Sequence, residues 1–233
     1  MTVELASASA PKRQLALRFP LRSRSRFEHF VIGANSAPVE RLRTPATRFE
    51  CLWLFGSPGV GKSHLLQATC HAVADAAYLP ARRIPRAEAS LQRYARFRAT
   101  LVDDVEAWLG HATTERELYG LYNELARAEA RLVFTASRSP RECDFALPDL
   151  ASRLCAAECY EIARLSDEDK LPLLVNAAQD RGLRLSEDVV RFLLTRVSRD
   201  QKNLLDTLSR LDHASLTQSR GITVPFVKEV LGL

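Results

Sequence analysis

Gly56-Ser57-Pro58-Gly59-Val60-Gly61-Lys62-Ser63 follows the apolar run Cys51-Leu52-Trp53-Leu54-Phe55 and leads into a helical pattern that begins at His64. Strand, glycine-rich loop and helix, in that order, are the setting a phosphate-binding P-loop requires. Each residue type has its own task. Gly56, Gly59 and Gly61, spaced by Pro58 and Val60, permit the tight turns that aim successive backbone N–H groups at phosphate oxygens. The helix adds unpaired N–H groups and the positive end of its dipole. Lys62 brings a mobile point charge to the terminal phosphates, and the Ser63 hydroxyl is a ligand for Mg²⁺. The stretch defines a nucleotide site and makes the chain around it α/β.

Downstream, Leu101-Val102-Asp103-Asp104 is an apolar strand ending in acid, which a P-loop protein needs opposite its loop. Asp103 is the expected metal carboxylate. Asp104 is the candidate for orienting a water, although an aspartate reaches less far than a glutamate. Between loop and acid, the pattern predicts a helix over 64–77 with Leu65, Ala68, Ala72, Val73 and Ala76 on one face, then an extended piece at Tyr78–Ile84. An arginine-rich, weakly helical segment follows. Beyond the acid come a helix over 115–130, the buried strand Arg131–Ala136 closed by Ser137-Arg138-Ser139-Pro140, and a last strand at Cys159–Ala163. Upstream of the loop, a short helix is expected around Ala37–Leu42. Apolar strands alternating with helices imply a parallel five-stranded sheet flanked by helices.

At Leu165 the pattern changes to helices alone, near 167–181, 187–197, 200–219 and 224–231. Ser166 and Ser186 are followed at once by acids, the arrangement of a helix N-terminus, and Pro225 falls in a first turn where its missing N–H costs little. The expected division is a tail over 1–26, an α/β nucleotide-binding domain over 27–165 and a small all-helical lid over 166–233.

Composition places limits on the rest. An apolar share of 46% with 26% charged residues suits a globule, no apolar run approaches membrane-spanning length, and Met1–Arg13 lacks the apolar stretch of a signal peptide. The 5 cysteines lack the spacing of a metal site and read as free thiols of a reducing, cytoplasmic compartment. The net charge of +5 is mostly arginine, clustered at Arg18–Arg26 and again at Arg82–Arg98. Solvated faces and an acidic or nucleic-acid partner both account for such clusters.

Two further features carry alternatives. Gln14-Leu15-Ala16-Leu17-Arg18-Phe19-Pro20 alternates apolar residues, which suits an edge strand or a peptide that docks in another protein's groove. Arg153, in Leu147-Pro148-Asp149-Leu150-Ala151-Ser152-Arg153-Leu154, is either an ordinary surface arginine or a finger for a neighbouring subunit's γ-phosphate.

Residues 14–233 resemble the AAA+ ATPases of the bacterial initiator DnaA family, and among them the Hda-type regulatory inactivators. The resemblance rests on Gln14–Leu17, Gly56–Ser63, Leu147–Leu154, Leu165–Lys170 and Pro225–Glu229, the last three being more particular than the widely shared P-loop. It implies an AAA+ base with a helical lid, ADP or ATP with Mg²⁺, an adenine pocket at Phe30-Val31-Ile32-Gly33, and a finger role for Arg153. It also implies that Gln14, Leu15, Leu17 and Phe19 bind the β sliding clamp of DNA polymerase III.

The sequence departs from that family where Ser137 stands at the first sensor position and Lys202 at the second. A hydroxyl reaches less far than an amide, and lysine lacks the bidentate geometry of arginine. The expected site holds nucleotide well and hydrolyses it poorly. No dedicated DNA-binding domain and no helicase-interaction domain are expected within the chain. The function that the resemblance implies is regulatory: tethered to the clamp, with ADP as the expected nucleotide, the protein presents Arg153 to ATP-bound DnaA and restrains replication initiation. It would act as an adaptor rather than an enzyme, in the cytoplasm near the nucleoid and replisome, with a homo-oligomer left open. An autonomous ATPase of the helicase-loader or DNA-acting kind is the alternative, and a small-molecule nucleotide kinase stands further off.

Overall fold

The computed structural model describes residues 19–86, 90–197 and 201–233. Gln14, Leu15 and Leu17, the core of the expected clamp peptide, lie outside the described residues. Strands β1 (Glu50–Phe55), β2 (Ala76–Pro80), β3 (Ala99–Asp103), β4 (Arg131–Ala136) and β5 (Glu158–Glu161) form one parallel sheet in the order β2-β3-β4-β1-β5. The strand leading into the P-loop is therefore interior, with its end beside the ends of β4 and β5.

Both faces of the sheet are covered, which is why β1, β3 and β4 read as continuous apolar runs instead of alternating. Trp53, Val102, Leu132 and Phe134 face Leu118, Leu121 and Leu125 of α3 (Ala112–Arg127) and Leu150 and Leu154 of α4 (Pro148–Cys155). Leu52, Leu54, Leu101 and Val133 face Leu65, Leu66 and Ala68 of α2 (Lys62–Ala72) and Val39 and Leu42 of α1 (Ser36–Arg43). At the sheet's lower end the buried Arg131 donates to Glu50 and to the carbonyls of Leu42 and Thr44, so its charge is paired and its donors are used.

Several element ends differ from the sequence expectation. The helix after the loop stops at Ala72 instead of 77, Asp75 turns the chain with φ 62°, and Ala76, expected on the helix face, opens β2. Alanine and valine suit either state, and β2 gains a register against all of β3. The extended piece ends at Pro80, tolerated on an edge strand, and Ala81–Arg83 is a 3₁₀ turn. Helix α3 starts earlier and ends earlier than expected, because Glu129 adopts φ 52° and the Ala130 N–H returns to the Leu125 carbonyl. In the arginine-rich segment Gln92–Tyr94 forms a 3₁₀ turn. All 5 cysteines are free.

Helices α5 (Asp167–Gln179), α6 (Glu187–Arg196), α7 (Gln201–Gln218) and α8 (Val224–Leu231) pack around Leu174, Val189, Leu193, Leu204, Leu211 and Phe226. Ser166 caps α5 in a reciprocal box with Asp169, and Ser186 and Thr223 cap α6 and α8. Within the base, Asn35 donates to the Ala163 carbonyl at 3.2 Å and accepts from the Ala163 N–H at 2.8 Å, fixing the segment that leads to α5. A polar contact joins the helical unit to the base, where His29 Nδ1 meets Asp180 Oδ2 at 2.7 Å. No helix among the described residues is long and apolar enough to cross a membrane.

Candidate nucleotide site

The P-loop joins the C-terminal end of β1 to α2, and two of its glycines are required by close approach. A Cβ on Gly56 would stand 2.7 Å from the Ile162 carbonyl oxygen, and one on Gly61 2.7 Å from Phe30 Cε2. Their φ values of 145° and 104° also lie where side chains are strained. The loop is thus pressed between the strand end and the Phe30 ring. Pro58 and Gly59 are exposed, Val60 is buried beneath them, and Ser63 is exposed at the start of α2.

Lys62 curls back across the loop, donating from Nζ to the Gly56 carbonyl at 2.6 Å and the Ser57 carbonyl at 3.0 Å. Burial pushes its pKa down, opposed by the nearby negative charges of Asp104, Glu106 and Asp103. The strand-end acids and the loop lysine therefore share one site, as the sequence spacing anticipates. Asp103 is buried and accepts at both oxygens, from the Tyr78 hydroxyl at 2.6 Å and from the Thr135 hydroxyl at 2.5 Å. Thr135 in turn accepts from the Asp104 N–H at 2.9 Å. The Asp104 backbone has φ 54°, and its carboxylate is engaged by Arg82 Nε at 2.8 Å.

Ser137 follows β4 and gives both its N–H and its hydroxyl to Glu106. Phe30 is buried, and its ring lies 5.5 Å from that of His64. His64 Nε2 is 2.8 Å from the Arg26 carbonyl, and burial lowers the imidazole's pKa. Val31 is half-buried beside Phe30, and Gly33 abuts Asp169 and Leu165 at the start of the lid. Lys202 falls in the first turn of α7.

Arg153 lies apart from this group, in the last turn of α4, with its guanidinium over the rings of Tyr119 and Tyr122 at 5.0 Å and 5.1 Å. Tyr122 packs edge-on against Phe49, which precedes β1, whereas the P-loop follows the other end of that strand. A strand of 6 residues separates those ends by about 17 Å. Phe19 is half-buried on the domain itself, under Arg83 at 5.6 Å, so any partner that takes this ring must first displace it.

Sequence reasoning missed four residues. Arg82 and Glu106 engage Asp104 and Ser137, Tyr78 holds Asp103, and Glu115 binds the loop before α4. Only Glu106 carried a signal, as a third acid just after Asp103-Asp104. The others depend on which strands adjoin.

The oxygens present fit Mg²⁺, which prefers hard ligands and keeps much of its water. Asp103 receives only hydroxyl donors, as suits an ionised carboxylate, and the Ser63 hydroxyl is free of protein partners among the described residues.

A parallel sheet in this order, a P-loop after β1, an acid after β3 and a helical unit after β5 define an AAA+ nucleotide-binding fold. Domain III of the replication initiation protein DnaA from Thermotoga maritima superposes with a TM-score of 0.80 at 21% identity, covering 92% of this chain and 98% of that one. AMPPCP-bound DnaA from Aquifex aeolicus gives 0.66 at 22% identity, over 81% and 65% of the two chains. The Thermotoga maritima RuvB Holliday junction branch migration motor gives 0.62 at 15% identity, over 83% and 65%. Residues 21–84 match the bacterial DnaA ATPase domain model, and residues 167–231 match the model of the Hda lid domain. The chain thus has the AAA+ fold and is similar to the DnaA ATPase domain in its first part and to the Hda lid domain in its last.

Proposed function

We propose that this protein binds an adenine nucleotide with Mg²⁺ in its own P-loop and acts as a regulator of DnaA, supplying Arg153 in trans to the initiator's ATP. With nucleotide bound, Lys62 would exchange its two loop carbonyls for terminal phosphate oxygens, Ser63 and Asp103 would hold the metal and its water, and Phe30 and Val31 would border the base. Mg²⁺ supplies charge neutralisation at the phosphates. The observation that carries the trans role is the position of Arg153, by the end of the sheet remote from its own loop and held in place by Tyr119 and Tyr122. A guanidinium so placed is pre-organised for a neighbour's phosphate.

Three features favour weak turnover in cis. Asp104 is occupied by Arg82, Ser137 is occupied by Glu106, and lysine stands at position 202 where an arginine would clamp phosphate. The bound nucleotide, with ADP the expected form, then sets the protein's shape. Residues 27–165 form the nucleotide domain and 166–233 the lid. The peptide Gln14–Phe19 tethers the protein to the DNA polymerase III β clamp, which places it in the cytoplasm at replicating DNA.

The test is clamp-dependent hydrolysis of DnaA-bound ATP with Arg153→Ala. An arginine finger in trans contributes about 10³–10⁵ in rate elsewhere. Loss of stimulation with unchanged nucleotide binding by the variant supports the reading, and wild-type stimulation rejects it. A pull-down with purified clamp, using Gln14→Ala with Leu17→Ala, tests the tether separately.

A further inference from the structure

Residues 19–26 run over α2 as a strap. His71 Nε2 lies 3.1 Å from the Arg22 carbonyl and His64 Nε2 2.8 Å from that of Arg26. Phe19 and Leu21 border a groove of about 320 Å³ whose other walls include Cys70, Val73, Tyr78 and Phe97. One further contact leads inward. The Arg22 N–H donates to Gln67 Oε1 at 3.0 Å, Gln67 Nε2 donates to the Tyr78 hydroxyl at 3.3 Å, and that hydroxyl donates to Asp103 Oδ2 at 2.6 Å.

The polarity of this chain is fixed at both ends. A backbone N–H can only donate, so Gln67 turns its carbonyl to the strap and its amide to Tyr78. An ionised carboxylate can only accept, so the single phenol proton goes to Asp103. Gln67 and Asp103 are buried, where an unpaired polar atom costs far more than at the surface. Gln67 stands on α2 beside Leu65, Leu66 and Ala68, which pack apolar core, whereas its own amide goes to the strap and to Tyr78.

We infer that Gln67 and Tyr78 are positioning residues that couple the seating of the 19–26 strap to the carboxylate of Asp103, and so to retention of Mg²⁺-nucleotide. The inference rests on the reading of Gly56–Ser63 and Asp103 as a Mg²⁺-nucleotide site. When the strap leaves, Gln67 Oε1 loses its donor, the amide is free to turn, and the Tyr78 proton gains a second acceptor. Asp103 then keeps only Thr135 as a fixed hydroxyl donor and presents its oxygens less well to the metal's water. Coupling of this kind is reciprocal. Metal-nucleotide holds the strap down, and a partner that captures Phe19 loosens the nucleotide.

The test uses the full chain and a fluorescent ADP analogue, titrated in Mg²⁺ and in EDTA. Tyr78→Phe deletes only the hydroxyl, Gln67→Leu removes the first two links, and Arg22→Pro removes the Arg22 N–H. Arg22→Ala keeps that N–H and serves as the control. Each of the first three is expected to weaken binding about 10-fold in Mg²⁺, as outer-shell partners of metal sites do, and to leave EDTA affinity unchanged. Arg22→Ala should match wild type. Arg22→Pro with Tyr78→Phe should lose no more than either alone, since both break one chain. Hydrogen exchange at the Arg22 amide should slow on adding Mg²⁺-nucleotide in wild type but not in Gln67→Leu.

Equal losses in Mg²⁺ and EDTA, strictly additive losses, or an Arg22→Ala defect as large as that of Arg22→Pro would each overturn the coupling. So would Mg²⁺-enhanced binding in wild type that Tyr78→Phe leaves intact, and that outcome spares the nucleotide site. Wild-type protein with no Mg²⁺-dependent binding would remove the site and the coupling together.

Discussion

Arg153 Nη2 donates to the Tyr119 hydroxyl at 3.3 Å while the guanidinium lies 5.0 Å from the same ring's centroid, so one tyrosine both stacks and orients the arginine. Hydrogen bonds to Tyr119 and Tyr122 raise the arginine's pKa further. The charge is permanent and its direction is set.

Tyr119→Phe should keep the stack and lose the hydrogen bond, and Tyr119→Ala should lose both. Loss of an exposed cation–π contact is a modest effect, so Tyr119→Ala should lower stimulation of DnaA's ATPase about 2- to 5-fold, and Tyr119→Phe less. Nucleotide affinity measured on the same proteins should not change, because the pair is remote from the P-loop.

Lys62→Ala should weaken nucleotide binding about 10- to 100-fold, since a hydrogen bond to a charged group contributes about 1.5–3 kcal/mol. Fluorescence titration measures it. The unliganded fold should be little affected, as Lys62 bonds only the rim carbonyls of Gly56 and Ser57.

Glu115 is fully buried and accepts N–H donors from Gly110 at 2.7 Å, Ala146 at 3.0 Å and Leu147 at 2.6 Å. It fixes the loop that leads into α4 and Arg153. Glu115→Ala leaves three backbone N–H groups without their acceptor and should destabilise by about 1–3 kcal/mol. Urea denaturation reads the loss, and residual folded protein should show a mispositioned Arg153 as reduced stimulation.

Glu50 gives the acid limit of stability. Burial works to raise its pKa, but hydrogen bonds from Arg41 and Arg131 outweigh it and hold the carboxyl below its ordinary value of 4.5. The contribution is therefore fully present above about pH 4.5 and is lost as pH falls through the folded-state value. At neutral pH, Glu50→Gln leaves Arg131 buried without its counter-charge and should cost about 3 kcal/mol. Denaturation midpoints should begin to approach those of wild type below pH 4.5 and converge once pH has fallen through the lower folded-state value, where both carry a neutral side chain.

The P-loop, the acid after β3 and the lid's capped helices were legible because each is local. A glycine spacing, an apolar run ending in Asp103 and a serine before acids need no knowledge of neighbours. Non-local features were not. Ala76 fits the helical spacing of its neighbours, and its strand partner, Ala99, is distant in sequence. Tyr78 looked like one more apolar strand residue until β2 was placed beside β3 and its hydroxyl met Asp103. Arg82 and Glu106 belonged to an arginine cluster and a strand end, and their pairing with Asp104 and Ser137 follows only from the turn at Asp104. Phe19 read as half of a docking peptide, and the groove between α2 and β2 that seats it has no signature in the sequence.

The most direct test of the central claim is single-turnover hydrolysis of ATP preloaded on DnaA, with DNA-loaded clamp and either wild-type protein or Arg153→Ala. With comparable ADP affinity in both, the account predicts rapid hydrolysis with wild type and the unstimulated rate with Arg153→Ala. Equal stimulation by the two proteins would contradict it.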